Sequence, residues 1–164
     1  DGHGRTGRAI SDKALSQSLQ RPTLIAIAHS IESERKRYYS ELQGASKGLD
    51  ITNWLVYFSE VVLHAQDYTQ SMIDFLIEKG KFYSRFADKL NKRQEKVIER
   101  MFREGVSGFK GGLSAKNYIG ITDTTRATAT RDLQDLVKQG AFNKTGQLKH
   151  TRYYLNIDHE SVEK

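Results

Sequence analysis

The sequence predicts a mainly α protein in two parts, a helical segment up to about residue 90 and a small α+β domain after it. Three observations support this prediction. Apolar residues in the first part keep helical spacing, the second part has short helices before a strand-like stretch, and the charge differs between the parts. Residues 1–90 carry 12 basic and 11 acidic side chains, a net +1, whereas residues 91–164 carry 14 and 9, a net +5.

Composition restricts the class of protein. The chain has 164 residues, no cysteine and one proline, and 37% of its residues are hydrophobic against 28% charged. This is the composition of an ordered globular protein with a substantial core. The absence of cysteine excludes disulfides, thiol catalysis and cysteine-ligated zinc. The apolar runs are far shorter than the roughly 20 residues of a membrane span, so the sequence predicts a soluble cytoplasmic protein with no membrane partner.

The first part is predicted to begin with two helices. The first runs from Arg5 to Leu19 after a glycine-rich turn. The second begins near Pro22, a residue that suits the first turn of a helix, and runs to about Leu42 before a stop at Gly44.

A third, longer helix is predicted after Asp50, which is a suitable N-cap, with Gly80 as a candidate weak point. Its aromatic stripe, which includes Tyr57 and Tyr68, indicates core or interface. Apolar side chains around Trp54, Phe58 and Met72 predict that copies of the chain associate as a homo-oligomer.

The part after residue 91 is predicted to contain three short helices and a β-hairpin. Capping residues mark the helix starts, glycines mark the loops, and alternating apolar residues mark the second strand. This order is typical of a winged helix-turn-helix domain, which we place at residues 91–158, with residues 159–164 as a tail and residues 1–90 as the preceding helical domain. The signals are Asn91 with Gln94, Ser114, Thr125, Gly140, the turn at Thr145–Gly146, and then Tyr153, Leu155 and Ile157.

The last of these helices has a polar face typical of DNA recognition. Arg and Gln can read base edges in a major groove, Thr can contact phosphates or thymine methyl groups, and basic residues of the hairpin would contact the backbone. An ion pair with Asp132 is the alternative use of Arg131, and protein recognition or dimerisation is the alternative for the whole domain. The predicted residues for binding double-stranded DNA are Arg126, Thr128, Thr130, Arg131 and Gln134 on the helix and Lys144, Lys149 and Arg152 on the hairpin.

Residues 1–8 read Asp-Gly-His-Gly-Arg-Thr-Gly-Arg. The three glycines match the spacing of a dinucleotide-binding loop, but that loop requires a preceding strand and a βαβ unit, which the pattern does not predict. Glycine amides can instead converge on an anion, Arg5 and Arg8 can bind phosphate from one helix face, and Asp1 offers a hard oxygen to Mg²⁺. These residues predict a polyphosphate pocket, with a simple turn and incidental arginines as the alternative.

The same segment resembles the C-terminal part of the Fic-family motif, His-x-Phe-x-(Asp/Glu)-Gly-Asn-Gly-Arg-x-x-Arg. The stretch from Arg21 to Leu42 and a C-terminal winged helix are also similar to members of that family. The resemblance implies a protein adenylyltransferase, which transfers AMP from ATP to a Tyr, Thr or Ser hydroxyl of a target protein with the help of Mg²⁺. It implies Asp1 as the Mg²⁺ ligand and Gly2, His3, Gly4, Arg5 and Arg8 as the residues that hold and neutralise the phosphates.

The chain departs from the family pattern in two respects. The family usually has asparagine where this chain has His3. The motif histidine, which acts as the general base in the family, is expected upstream of Asp1, so we predict that the chain is the C-terminal part of a longer enzyme, has no catalytic residue of its own and is inactive in AMP transfer by itself. The alternative function is that of a DNA-binding winged-helix transcriptional regulator.

Overall fold

The structure, a computed structural model, describes residues 3–18 and 26–158. Within these ranges the fold is mainly helical, with a small two-stranded antiparallel sheet near the C-terminal end, which confirms the predicted class at this level. The elements are α1 (His3–Ser18), α2 (Ile27–Ser33), α3 (Arg35–Ala45), α4 (Thr52–Phe86), α5 (Lys92–Phe102), α6 (Ala115–Thr122), α7 (Arg126–Lys138), β1 (Phe142–Thr145) and β2 (Arg152–Leu155).

The chain divides into two compact units, and the boundary between them lies within α4, between Gln70 and Ser71. The sequence predicts the domain boundary later in the chain, after Leu90. The difference has a packing cause, because the rings of Phe82 and Phe86 are buried in the same core as the helices that follow residue 91. Apolar burial therefore assigns the C-terminal half of α4 to the second unit.

The core of the first unit joins α2, α3 and α4. The Trp54 ring packs against this core and lies edge-on to Tyr38, with ring centroids 5.6 Å apart. The Arg37 guanidinium lies 4.8 Å from the centroid of the Tyr57 ring and donates to the Glu60 carboxylate at 2.6 Å. The buried members of this core are Ile27, Ile31, Tyr38, Tyr57, Val61 and Ala65.

The helix predicted from Pro22 to Leu42 is interrupted in the structure. Its predicted start lies outside the described residues, and α2 and α3 are separated at Glu34, whose backbone is not helical (φ −119°, ψ 35°). The Ser33 hydroxyl donates to the carbonyl oxygen of Ser30 at 2.8 Å. A serine that bonds back to its own helix competes with helical geometry, which is consistent with the break at this point.

Helix α4 is continuous through Gly80, so the predicted weak point does not interrupt it. The helix begins two residues after the predicted cap, so Asp50 lies one position before the N-cap residue Ile51, whose carbonyl accepts the first helical bond; the Asp50 carboxylate still accepts a hydrogen bond from the amide of Thr52 at 2.9 Å. No helix in the described ranges combines the length and apolar character needed to cross a membrane. Exposed apolar side chains remain on α4, and self-association through them stays a prediction; they are Leu55, Val56 and Leu63 in the first unit and Met72, Ile73, Leu76 and Ile77 in the second.

The larger core belongs to the second unit and joins the end of α4 to α5, α6, α7 and the hairpin. The ring of Phe102 meets that of Phe82 edge-on, with centroids 5.3 Å apart. Arg85 donates to the carbonyl oxygen of Gly140 at 3.2 Å. The other buried members include Val97, Ile98, Met101, Leu113, Tyr118, Ala129, Leu133, Leu136, Phe142 and Tyr153.

The predicted helix caps of this unit are confirmed. Asn91 and Gln94 form a reciprocal capping box at the start of α5, and the amide of Asn91 donates to Gln94 Oε1 at 2.8 Å. Ser114 forms a second capping box with Asn117 at the start of α6, and Thr125 caps α7. Each cap satisfies amides that have no partner within the helix and thereby fixes the residue at which the helix begins.

The hairpin pairs Phe142 with Leu155 and Thr145 with Arg152. Leu113 adds a short third segment, since its backbone exchanges two 2.9 Å hydrogen bonds with Tyr153. The connection between the strands is longer than the two-residue turn predicted at Thr145–Gly146, because residues 148–150 form a 3-10 turn.

Gly112 is required by both its conformation and its neighbour. Its φ is +72°, and a Cβ atom there would lie 2.6 Å from Cζ of Tyr154 and 2.9 Å from Cβ of Arg152, which cannot move without the backbone. We predict that Gly112→Ala lowers the free energy of unfolding by about 3 kcal/mol, because backbone strain and overpacking add. Gly111→Ala is the matched control, since Gly111 has the same φ and open space around it, and should cost only about 1 kcal/mol. Urea denaturation followed by circular dichroism measures both, and equal losses would contradict the steric argument.

Candidate nucleic-acid interface

Helix α7 presents a polar, exposed face opposite its buried apolar side chains. The helix begins after Thr125, whose side chain accepts a hydrogen bond from the amide of Thr128 at 3.3 Å. Because the cap sets the start and the apolar residues set the rotation, the polar face is fixed relative to the core. Of the residues that the sequence predicts on this face, Arg126, Thr130, Arg131 and Gln134 are exposed and Thr128 is half-buried.

Arg131 does not pair with Asp132, so that alternative is wrong. Asp132 is only 5% exposed, and its carboxylate accepts from Nε of Arg93 at 2.8 Å. Arg131 lies on the exposed side of the helix. Among the residues that the structure describes, neither Arg126 nor Arg131 forms an ion pair. Both guanidinium groups are therefore available to a partner.

The Asp132 carboxylate joins three helices. From α5 it accepts hydrogen bonds from Arg93 and, at 3.2 Å, from the side-chain amide of Asn91. From α6 it accepts the Tyr118 hydroxyl at 2.9 Å. Gln94 adds a bond to the backbone carbonyl oxygen of Asp132 at 3.3 Å. These directional bonds fix the position of α7 against the other two helices.

Opposing effects act on the pKa of Asp132. Burial alone would raise it, but the hydrogen bonds from Arg93 and Tyr118 and the charge of Arg93 outweigh burial and hold the pKa below its ordinary value. Burial, and then the hydrogen bond to Asp132, raise the pKa of Tyr118. Asp132 is therefore a charged group of the interior and Tyr118 a neutral donor to it.

The two threonines of the predicted interface use their hydroxyls within the helix. Thr130 Oγ1 donates to the carbonyl oxygen of Arg126 at 2.9 Å, and Thr128 Oγ1 lies 3.0 Å from Thr125 Oγ1. The Thr130 hydroxyl donates its proton within the helix, so its methyl group is the part left for a contact, whereas in the Thr125–Thr128 pair either hydroxyl can be the donor.

The three predicted hairpin cations occupy different positions. Lys144 is exposed on β1, and Lys149 is exposed in the connection between the strands. Arg152 is half-buried, and its Nη1 donates to the carbonyl oxygens of Thr151 at 2.8 Å and Lys149 at 3.3 Å. The guanidinium of Arg152 is thus held in place by the backbone beside it, with further N–H groups left over.

An open basic cleft of about 520 Å³ lies where α6 and α7 begin beside the hairpin. It brings together Arg126, Lys149 and Arg152 of the predicted set, whereas Arg131, Gln134 and Lys144 lie outside its lining. Sequence reasoning missed one cation of the cleft, Lys116 in the first turn of α6. The sequence does contain a signal for it, because a lysine in the first turn of a helix, with no acidic residue beside it, lies at the positive end of the helix dipole. The remaining lining residues are Ser114, Ala115, Ile119, Thr151 and Tyr153.

The predicted phosphate motif lies at the start of α1. Asp1 and Gly2 lie outside the described residues, and the backbone of His3, Gly4, Arg5 and Arg8 is helical. The helix begins two residues before the predicted start at Arg5, so that Gly4 belongs to its first turn. No group of three acidic or histidine side chains arranged for a metal occurs within residues 3–18 and 26–158.

Comparison with known proteins assigns no family to the chain. It matches no protein-family model and no curated protein sequence.

The Asp132 network predicts a large effect of substitution. Asp132→Ala leaves the Tyr118 hydroxyl and the Arg93 guanidinium without their acceptor and should lower the free energy of unfolding by about 2–3 kcal/mol. Asp88→Asn, at an exposed carboxylate of the same unit, should stay within about 0.5 kcal/mol of the unsubstituted chain. Urea denaturation compares the two, and a small effect of Asp132→Ala would show that apolar packing alone holds α7.

The same carboxylate predicts part of the acid sensitivity. Because the pKa of Asp132 is lower in the folded chain than the unfolded value of about 3.9, its stabilisation is fully present above that value and is lost as the pH falls through the folded pKa. Asp132→Asn should therefore flatten the fall in stability with decreasing pH. Parallel pH profiles for the two proteins would contradict this assignment.

Proposed function

We propose that residues 91–158 form a winged helix-turn-helix domain that binds double-stranded DNA. The observation that carries this proposal is the exposed polar face of α7, which the buried Asp132 fixes in rotation and which has two arginines without acidic partners among the described residues. A face of this kind, at the end of three helices and before a two-stranded hairpin, has the features of a recognition helix with an adjoining wing. The net charge of +5 over residues 91–164 also favours an anionic partner.

In this proposal the two long polar side chains in the middle of α7 read the bases. Arg131 offers a bidentate donor to guanine, and Gln134 offers paired donor and acceptor groups to adenine. Thr130 contributes a methyl contact, because its hydroxyl already donates within the helix, and Thr128 contributes a contact from its methyl group or its hydroxyl. Lys144, Lys149 and Arg152 contact the backbone and carry no sequence information.

Protein recognition is the competing use of the same domain. The two are separated by fluorescence anisotropy of the full chain with mixed-sequence duplexes at about 50 mM and 200 mM salt, since a DNA contact made by Lys and Arg weakens steeply with salt. Absence of binding even at the lower salt concentration would assign the domain to protein recognition.

Arg131→Ala tests the base-reading role. We expect it to cost about 1–3 kcal/mol on a preferred sequence and to reduce discrimination between sequences, because a bidentate base contact is lost. Lys149→Gln should instead weaken all duplexes about equally. Lys96→Gln, an exposed lysine of α5, is the matched control and should leave binding unchanged. An Arg131→Ala protein with unaltered sequence preference would show that α7 does not read bases as proposed.

We further propose that the helical part of the chain belongs to a Fic-type protein adenylyltransferase that uses ATP and Mg²⁺ to modify a protein hydroxyl. The support is the motif of residues 1–8 and its position at the start of the 16-residue helix α1, because first-turn amides without helical acceptors suit a phosphate. In this proposal Arg5 and Arg8 neutralise the phosphates and Asp1 carries the metal ion. When bound, ATP with Mg²⁺ would supply the transferred AMP group.

AMP transfer gives the corresponding prediction. The chain of 164 residues should transfer no AMP from α-labelled ATP, because positioned general-base catalysis contributes about 10²–10⁴-fold and the motif histidine is absent from this sequence. A protein that includes the motif histidine should label itself or a target, and Arg5→Ala should abolish that labelling. Full labelling by the Arg5→Ala protein would contradict the proposed phosphate role, with Lys13→Ala as the control on the same helix.

A further inference from the structure

We infer that the basic cleft binds one phosphodiester group of the DNA backbone, and that Arg126 therefore positions the domain on DNA and does not read a base. This inference rests on the proposed DNA-binding function and adds Lys116 to the interface. The cleft is lined by four basic side chains, Lys116, Arg126, Lys149 and Arg152, which come from the start of α6, the start of α7 and the hairpin.

The cleft concentrates positive charge that the described residues do not neutralise. Among the residues that the structure describes, none of those lining the cleft is Asp or Glu. In the part of the chain that the structure describes, none of the four cations forms an ion pair. By contrast, Arg93 and Arg100 of α5 and Arg103 at its C-cap each pair with a carboxylate. Like charges on separate elements repel one another, so an anion between them would relieve an electrostatic cost.

The helix starts add to this imbalance. Lys116 and Arg126 lie in the first turns of α6 and α7, where the backbone dipole already places positive charge, and neither first turn contains an acidic residue. The first turn of α5, which lies outside the cleft, contains Glu95. A local conflict of this kind is typical of a site whose ligand removes it.

The guanidinium of Arg152 is held in position to bind the same anion. Its Nη1 is held by two backbone carbonyl oxygens, so the planar guanidinium keeps one orientation at the cleft. The remaining N–H groups can then donate to phosphate oxygens with little loss of side-chain entropy. The open form of the cleft suits a phosphate that belongs to a continuous strand.

This placement separates Arg126 from Arg131 on the same helix. Arg126 lines the cleft, whereas Arg131 does not. The backbone contact and the base contact are thus five residues apart on the helix, about 1.4 turns, and the two arginines should respond differently to a change of DNA sequence.

The first test measures anisotropy of the full chain on several duplexes over a range of salt. Lys116→Gln should weaken every duplex by about fivefold and reduce the slope of log affinity against log salt by about 0.9. Arg126→Ala should do the same without altering sequence preference, and Lys96→Gln should change neither quantity. If the chain binds DNA, either of two results would overturn the inference and leave the proposed function intact. One is an unchanged slope of log affinity against log salt for Lys116→Gln, and the other is an altered preference between duplex sequences for Arg126→Ala.

The second test titrates inorganic phosphate, at constant ionic strength, into the isotope-labelled full chain and follows the amide signals of Lys116, Arg126 and Arg152. Weak, saturable shifts at these residues together with DNA binding support the phosphodiester assignment. Shifts without any DNA binding would overturn both the proposed function and the phosphodiester assignment, and would define a site for small free anions. Absence of shifts and of DNA binding would overturn every part of the proposal.

Discussion

The buried carboxylate of Asp132 is the interaction on which the second unit depends. Apolar side chains turn one side of α7 towards the core, but apolar contacts are non-directional and specify its exact rotation and axial position less tightly than hydrogen bonds do. Hydrogen bonds from Arg93 and Asn91 of α5 and from Tyr118 of α6 remove that freedom. A buried charge, which a binding partner could not contact directly, therefore fixes the position of the side chains that α7 exposes to solvent.

The local features of the fold could be predicted from sequence because their partners lie close together along the chain. The caps at Asn91, Ser114 and Thr125 each involve residues no more than three positions apart, and all three are confirmed. The exposed positions of α7 follow from the helical spacing of its apolar residues in the same way. The class of the fold, mainly helical with a small antiparallel sheet, is the sum of such local signals.

Features that depend on distant partners could not be predicted. Asp132 looked like a surface neighbour of Arg131, since nothing in the nearby sequence indicates that residues 39 and 41 positions upstream would bond to it. Lys116 has a local signal, a basic first turn without an acidic residue, but the cleft around it could not be predicted, because its other cations come from α7 and the hairpin. The boundary after Leu90 followed a change in composition, whereas the compact units follow burial.

The continuity of α4 determines where the chain can be divided into fragments that keep their core. A fragment excised at residue 91, where composition changes, would lose the rings of Phe82 and Phe86 and leave a hydrophobic hollow beside Phe102. The compact unit that contains this core starts at Ser71, in the middle of a helix. A gene fusion or recombination event that transfers this unit intact therefore includes half of α4. A fusion made at residue 91 would lack the core side chains that α4 supplies.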